Sequence, residues 1–145
     1  MAPKGEQRYT ILVADDSEMN RSILRSMLEE SYDIIEAEDG VKALEAFQRS
    51  QPFFFDAVLM DMQMPNMDGC QATQAIRALE RPDARSTPII ALTANAFAED
   101  ITRTTQAGMD AHLAKPINIE QLCLTLTKLM SVRDRAQNKK PPKGE

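Results

Sequence analysis

Four short apolar stretches of this chain each end at a residue that could take part in chemistry. Each stretch has the composition of a β-strand, so the reactive residue lies at the carboxyl end of that strand. Because ligands of open α/β sheets bind beyond the carboxyl ends of the strands, we expect these side chains to meet at one edge. The stretches and the residues that follow them are 10–14 with Asp15 and Asp16, 56–60 with Asp61, 88–92 with Thr93, and 111–114 with Lys115.

The side chains expected at this edge suit a divalent cation and a phosphoryl group. Three carboxylates that lie close together repel one another unless a cation neutralises them, and hard oxygen ligands at a phosphate site favour Mg²⁺. A carboxylate can also act as a nucleophile and form an aspartyl-phosphate. Lys115 could then neutralise one phosphoryl oxygen, and the Thr93 hydroxyl could donate a hydrogen bond to another.

The elements that would position these residues alternate regularly along the chain. Predicted strands cover residues 9–14, 33–37, 53–60, 88–92 and 111–114, and a helical pattern follows each of them. This alternation predicts a three-layer α/β/α sandwich around a parallel sheet. The first, third and fourth strands are almost continuously apolar, which indicates burial on both faces.

The fourth helix, predicted over residues 97–107, is unusually polar. Its inward face carries few apolar side chains beyond Phe97 and Ile101, whereas residues 102–106 are all polar or charged. We therefore expect this helix to dock weakly, which makes it a candidate moving element.

Composition and charge favour one globular domain that does not bind nucleic acid. The 145 residues carry a net charge of −5, and residues 131–145 alone carry +3, so that the body carries −8. An acidic body argues against non-specific binding to nucleic acid. We expect a flexible arm at residues 1–8, a domain at residues 9–130, and a basic flexible tail or linker end at residues 131–145.

The remaining sequence signals favour a cytoplasmic location. Cys70 and Cys123 are far apart and form no metal-binding pattern, so reduced thiols are the simplest interpretation. No apolar stretch approaches the roughly 18 residues of a membrane span, and the first eight residues lack the apolar segment of a signal peptide.

Taken together and in order, these motifs resemble the receiver domain of two-component response regulators over residues 9–130. The residues that carry the resemblance are Asp15-Asp16, the stretch 59–69 around Asp61, Leu92-Thr93-Ala94-Asn95, and Lys115-Pro116. The resemblance implies a flavodoxin-like (βα)5 fold with a parallel sheet in the order 2-1-3-4-5.

The resemblance also implies a role for each residue of the site. Asp61 would accept the phosphoryl group, and Mg²⁺ would be held by Asp16, Asp61 and the backbone carbonyl of Gln63, with Asp15 acting through a water. Thr93 and Lys115 would contact the phosphoryl group, and the Lys115–Pro116 peptide bond is often cis in this family. Gln63 and Asn95 flank the site and are candidates for tuning the lifetime of the phosphoryl group.

Longer stretches of the chain are similar to the receivers of hybrid sensor histidine kinases. These stretches are 16–21, 92–96 and 108–117. The similarity implies a histidine kinase as phosphoryl donor and a histidine phosphotransfer domain as a further partner. Residues typical of a kinase ATP-binding region or of a DNA-binding module are missing from this sequence, which is therefore either a stand-alone receiver or an excised one.

One position departs from the family pattern. The switch residue three positions before the lysine of strand 5 is commonly Tyr or Phe, and here it is His112. An unperturbed histidine titrates near pH ~6.5, so that His112 is either a pH-responsive switch candidate or a half-exposed strand residue without a switch role.

Two other functions remain open from the sequence. A degenerate receiver would serve only as a protein-interaction scaffold, although the complete set of site residues argues against this. A phosphohydrolase of the haloacid-dehalogenase type would also use an aspartate, Mg²⁺, a Thr or Ser and a Lys. That class, however, requires a second aspartate two residues after the nucleophile, where this chain has Gln63.

Overall fold

The computed structural model describes residues 9–94 and 98–136, and describes side chains for residues 9–94 and 101–132. Five strands alternate with five helices along these residues. The strands are β1 (Tyr9–Ala14), β2 (Tyr32–Ala37), β3 (Ala57–Asp61), β4 (Ile89–Thr93) and β5 (Ala111–Ala114). The helices are α1 (Glu18–Leu28), α2 (Gly40–Arg49), α3 (Gly69–Arg77), α4 (Ala98–Ala107) and α5 (Ile119–Ala136).

The strands form one parallel sheet in the order β2-β1-β3-β4-β5, which confirms the order implied by the resemblance. The register pairs Ala14 of β1 with Met60 of β3, and Asp61 of β3 with Leu92 of β4. The carboxyl ends of the three central strands therefore finish at nearly the same level. This alignment brings the residues that follow β1, β3 and β4 to one edge of the sheet.

Each face of the sheet packs against its own layer of helices, which confirms the predicted three-layer sandwich. On one face Leu12, Val58 and Met60 pack with residues of α2 and α3, including Phe47 and Ile76. On the other face the alternate strand residues pack with α1 and α5. Those strand residues are Ile11, Val13, Leu59, Ile90 and Leu92. Burial on both faces explains the nearly continuous apolar character of β1, β3 and β4.

The third strand begins later than the sequence pattern predicts. Residues 53–56 lie outside the strand, and Phe53 adopts a positive φ of 68° that a strand does not allow. The Phe53 amide donates a hydrogen bond to the carboxylate of Asp83, 2.8 Å away. Asp56 then leads into the strand by accepting a hydrogen bond from the amide of Thr10 on Oδ2. The apolar run is thus longer than the strand it contains.

The loop at residues 81–87 is rich in polar residues and is nevertheless partly buried. Asp83 is fully buried and pairs with the Arg81 guanidinium at 2.6 Å. That guanidinium also lies 4.6 Å above the Phe47 ring and donates a hydrogen bond to the Phe47 carbonyl. These contacts join the end of α2 to the loop that precedes β4, so that the loop forms part of the fold.

The helix α5 runs further than the predicted domain boundary at residue 130. It is helical through Ala136, so residues 131–136 of the predicted tail belong to a helix. Residues 1–8 and 137–145 lie outside the described part of the chain. No helix in the part that the structure describes is both long enough and apolar enough to cross a membrane.

Asp39 links the start of α2 to the loop that follows β3. Its carboxylate caps the helix by accepting a hydrogen bond from the Lys42 amide at 2.8 Å, and it also accepts one from Asn66 Nδ2 at 2.7 Å. The hydrogen bond from the Lys42 amide is the main cause that lowers the pKa of Asp39, and the bond from Asn66 acts in the same direction against the effect of burial. The charged form of Asp39 is therefore the form that stabilises the fold.

We predict that Asp39→Ala lowers the free energy of unfolding at neutral pH by about 1 kcal/mol, the usual loss when Ala replaces a helix-capping Asp. The folded-state pKa lies below the unfolded value of about 3.9, so that the contribution is present above that pH and is lost as the pH falls through the folded pKa. Urea unfolding of both proteins between pH 7 and pH 3 should show the difference shrinking at the acid end. Glu38→Gln, at an exposed neighbouring position, is the control, and a difference that is constant with pH would contradict the prediction.

The first residue of α3 touches the backbone of β3 directly. A Cβ atom added at Gly69 would lie 2.3 Å from the carbonyl oxygen of Asp61 and 3.1 Å from the Cα of Met62. Both contacts are with backbone atoms, which cannot rotate away. We predict that Gly69→Ala lowers the free energy of unfolding by about 1–3 kcal/mol through overpacking. Gln74→Ala, at an exposed position of the same helix, should change it by less than about 0.5 kcal/mol. Equal stability of the two variants in urea unfolding would show that this close approach is not a constraint.

Candidate functional site

The residues that follow the strands meet at the carboxyl edge of the sheet, as the sequence predicts. A cleft of about 770 Å³ opens there, and Asp16, Asp61, Thr93 and Lys115 all line it. Asp15 lies directly behind them and is fully buried. One edge of the sheet therefore holds three carboxylates, a hydroxyl and an ammonium group.

The three carboxylates form a compact acidic cluster. One oxygen each from Asp15, Asp16 and Asp61 lies within 4.8 Å of the others. Asp15 and Asp61 are buried, whereas Asp16 is exposed to solvent. Carboxylates this close together, two of them removed from water, repel one another strongly unless a cation lies between them.

Asp15 shows where such a cation would fit. Its Oδ1 accepts a hydrogen bond of 2.9 Å from the Ser17 amide, but its buried Oδ2 accepts none from the described residues. The Lys115 ammonium lies 3.6 Å from that Oδ2. A buried carboxylate oxygen without a hydrogen-bond donor needs another partner. Together with the carboxylates of Asp16 and Asp61, it forms a set of hard oxygen donors that fits Mg²⁺.

Two groups donate hydrogen bonds to Oδ1 of Asp61. The Lys115 ammonium donates to it at 3.1 Å and the Gln63 amide at 3.4 Å. Burial raises the pKa of Asp61 above its usual range, and the neighbouring charge of Asp15 raises it further, while Lys115 opposes both effects. A cation in the cluster would favour the ionised form that a nucleophile requires.

Backbone contacts hold Thr93 and Lys115 next to each other. The Lys115 amide donates a hydrogen bond of 2.8 Å to the Thr93 carbonyl, which continues the pairing of β4 with β5. The Lys115–Pro116 peptide bond is cis, as the resemblance implies. Gln63 also lines the cleft and is exposed there.

Two of the predicted residues are not part of this cleft as described. His112 is half-buried on β5 and lines a separate groove of about 260 Å³ with Thr104, Thr105 and Met109. Asn95 lies outside the described residues. The structure therefore places His112 beside α4 and away from the acidic cluster, and its role as a switch stays a prediction.

Three further polar or charged residues line the cleft although the sequence motifs assign them no role: Asn20, Asp68 and Arg103. Asp68 caps α3 in a reciprocal capping box with Gln71, and this spacing is readable in the sequence. Asn20 and Arg103 lie on α1 and α4, and nothing in the local sequence shows that these positions face the cleft. Their placement depends on how the two helices pack on the sheet.

Curated proteins with similar sequences are sensor kinases. The sensor protein GacS of Pseudomonas syringae pv. syringae is 41% identical over 128 residues, which cover 87% of this chain and 14% of that protein. The sensor histidine kinase RcsC of Escherichia coli is 42% identical over 118 residues, which cover 81% of this chain and 12% of RcsC. The chain therefore spans only a small part of the curated relatives it matches.

Two solved structures match this chain over nearly their full length. The receiver domain of the sensor histidine kinase PA1611 from Pseudomonas aeruginosa, solved with a magnesium ion coordinated in its active-site cleft, has a TM-score of 0.77 and 37% identity. The match covers 86% of this chain and 98% of that one. The chemotaxis protein CheY4 of Vibrio cholerae has a TM-score of 0.77 at 30% identity, over 84% of this chain and 98% of CheY4.

The assignment of the chain to a family rests on a sequence match that spans most of its length. The sequence model described as the response regulator receiver domain matches residues 11–127, which include every strand end that forms the cleft. The order of the sheet and the acidic cluster agree with this match. The chain belongs to the family of response regulator receiver domains of two-component signalling systems.

Proposed function

We propose that this domain is the phosphoacceptor of a phosphorelay, and that Asp61 receives a phosphoryl group from a phosphohistidine. The observation that carries the proposal is the position of the Asp61 carboxylate. It lies in the acidic cluster with Asp15 and Asp16, and its Oδ1 is 3.1 Å from the Lys115 ammonium. A nucleophilic oxygen, a set of cation ligands and a fixed positive charge are the groups that phosphoryl transfer requires.

In the proposed step, a carboxylate oxygen of Asp61 attacks the phosphorus atom of the donor. The new oxygen–phosphorus bond forms while the nitrogen–phosphorus bond breaks, and the electron pair of that bond remains on the imidazole nitrogen. Asp16, Asp61 and the carbonyl of Gln63 would hold Mg²⁺, with Asp15 acting through a water. When bound, Mg²⁺ would offset the negative charge of the phosphoryl oxygens. Lys115, already beside Asp61, would contact one of these oxygens.

The second part of the proposal is a conformational switch. A phosphoryl group on Asp61 adds charge and new hydrogen-bond acceptors, which would draw the Thr93 hydroxyl towards it. Thr93 is the last residue of β4, so that a shift there would reach α4 and change the surface formed by α4, β5 and α5. Of the described side chains of α4, those of Thr104 and Ala107 are buried, while Thr102, Arg103, Thr105 and Gln106 are exposed. A helix held by few buried side chains supports two states of similar energy.

The names of the relatives suggest the class of partner. The matched region belongs to sensor kinases in GacS and RcsC, and we propose a histidine kinase or a histidine phosphotransfer domain as the partner of this chain. We propose that the exchange takes place in the cytoplasm, in line with Cys70 and Cys123 forming no disulfide.

The two alternative functions receive less support. A scaffold without phosphoryl chemistry has no need of a buried Asp15 Oδ2 that lacks a hydrogen bond, since such an arrangement costs stability. A phosphohydrolase of the haloacid-dehalogenase type needs a general acid two residues after its nucleophile. Gln63 occupies that position and contacts Asp61 through its backbone amide.

We predict that incubation with Mg²⁺ and acetyl phosphate adds the mass of one phosphoryl group to the protein. Asp61→Asn should abolish the addition because the amide is not a nucleophile of comparable strength. Intact-protein mass spectrometry measures both results. Glu18→Gln is the control, since it neutralises an exposed acid at the start of α1 and should leave the addition intact.

Three outcomes of this experiment are informative. An addition that needs Mg²⁺ and disappears only in Asp61→Asn would support the proposal. An addition that persists in Asp61→Asn would show that another residue is the acceptor. If no donor, including a phosphorylated histidine kinase, adds a phosphoryl group, the domain is a scaffold.

We also predict that beryllofluoride, a mimic of the phosphoryl group, shifts the backbone amide resonances of α4 and β5 in the presence of Mg²⁺. Thr93→Ala should bind the mimic and show smaller shifts in α4, because the hydroxyl that links the mimic to β4 is missing. Ser26→Ala, which removes an exposed hydroxyl from α1, is the matched control and should give the parent pattern. Unchanged α4 resonances in the parent at saturating mimic would contradict the switch without contradicting phosphoryl transfer.

A further inference from the structure

Asp15 is fixed by hydrogen bonds to three residues that are not part of the acidic cluster. Its amide donates a hydrogen bond of 3.1 Å to the Ala37 carbonyl of β2. Its Oδ1 accepts one from the Ser17 amide, and its carbonyl oxygen accepts one of 2.7 Å from Nη1 of Arg21. Only Oδ2, which belongs to the acidic cluster, accepts no hydrogen bond from the described residues.

Arg21 is itself held in place by a chain of ion pairs. Its Nε donates to Oε1 of Glu36 at 3.0 Å, and the other oxygen of Glu36 accepts a hydrogen bond of 2.6 Å from Nε of Arg25. Arg25 also donates to the Ile34 carbonyl at 3.3 Å. We call Arg21, Glu36 and Arg25 the α1–β2 brace, because they join the helix α1 to the edge strand β2. The side chain of Arg21 is only 15% exposed, and its hydrogen bond to the Asp15 carbonyl is partly buried.

We propose that Arg21 is a positioning residue for the Mg²⁺ ligands. By holding the carbonyl of Asp15, its guanidinium orients the peptide group that joins Asp15 to Asp16, and thereby both carboxylates. The planar guanidinium is suited to this role because it can donate to the Asp15 carbonyl and to Glu36 at the same time in a fixed geometry. The inference rests on the proposed function in so far as the acidic cluster binds Mg²⁺.

A purely electrostatic effect of Arg21 and a positioning effect predict opposite changes in Mg²⁺ affinity when Arg21 is replaced. A guanidinium close to a cation site repels the cation, so removal of its charge alone should strengthen Mg²⁺ binding. If Arg21 instead positions the ligands, its removal should weaken Mg²⁺ binding despite the lost repulsion. Outer residues that orient metal ligands typically contribute 10–100-fold in affinity, and we expect a loss of about tenfold for Arg21→Gln.

The experiment is a Mg²⁺ titration of the apo protein, followed through backbone amide resonances, for the parent and three variants. Arg25→Gln is the matched control because it also removes a partner of Glu36 but does not touch Asp15. We expect it to stay within about twofold of the parent, since exposed ion pairs contribute little. Arg21→Lys keeps the charge but not the planar donor group, and we expect it to bind Mg²⁺ more weakly than the parent.

Two measurements without Mg²⁺ separate positioning from a general loss of structure. Urea unfolding in EDTA compares the stabilities of the variants, and the amide resonances of Asp16 and Ser17 report the local geometry. We expect Arg21→Gln to shift these two resonances more than Arg25→Gln does, even where the two variants are equally stable.

The outcomes distinguish this inference from the proposed function. Equal or tighter Mg²⁺ binding by Arg21→Gln would overturn the inference and leave the proposed function intact. Equal weakening by Arg25→Gln and Arg21→Gln would also overturn it, because the effect would then belong to the whole brace. A parent protein that binds no Mg²⁺ would overturn both.

Discussion

The repulsion among the carboxylates at the edge of the sheet is the interaction around which the rest of this structure is arranged. Two unit charges about 4.8 Å apart at an effective dielectric constant near 20 repel each other by roughly 3–4 kcal/mol. Asp15, Asp16 and Asp61 carry three such charges, and Lys115 pairs with both Asp15 and Asp61. The four ionised groups together carry a net charge of −2, which is the charge that one divalent cation balances.

The fold keeps the carboxylates together because their backbone is held by more than the site itself. Asp61 ends a strand that is buried on both faces and paired on both sides. The loop after it is held by close backbone contacts with the first residues of two helices. A Cβ atom at Gly40 would lie 2.2 Å from the Met67 carbonyl, and one at Gly69 would lie 2.3 Å from the Asp61 carbonyl. The hydrophobic core and these contacts together stabilise an arrangement that electrostatics alone opposes.

This rigidity is unevenly distributed around the cleft. On the side of β1 and β2, the α1–β2 brace and the amide of Ser17 fix Asp15. On the side of β3, Asp39 and Asn66 join α2 to the loop that follows Asp61. The side of β4 and α4 is different, because most described side chains of α4 are exposed. If Asp61 accepts a phosphoryl group, as we propose, this uneven packing of the described residues would favour transmission of the change in charge towards α4.

The sequence by itself determined the candidate site residues, their order and the ends of the strands that carry them. Such features depend on short apolar runs and on the residue types next to them. The order of the sheet came from the resemblance to a known family, since alternating strands and helices are compatible with several orders. The motifs around Asp15, Asp61, Thr93 and Lys115 were informative because each lies within a few residues of its own strand.

The tertiary structure alone decided the features that join residues distant in the chain. Phe53 leaves the strand pattern because its amide binds Asp83, and the loop at 81–87 is partly buried because Arg81 binds the end of α2. Arg21 contacts Asp15 and Glu36 only because α1 packs beside β2, and Arg103 reaches the cleft only because of the way α4 lies on the sheet. Local sequence carries no signal for such contacts, because their free energy depends on partners that only the packing of helices on the sheet brings within reach.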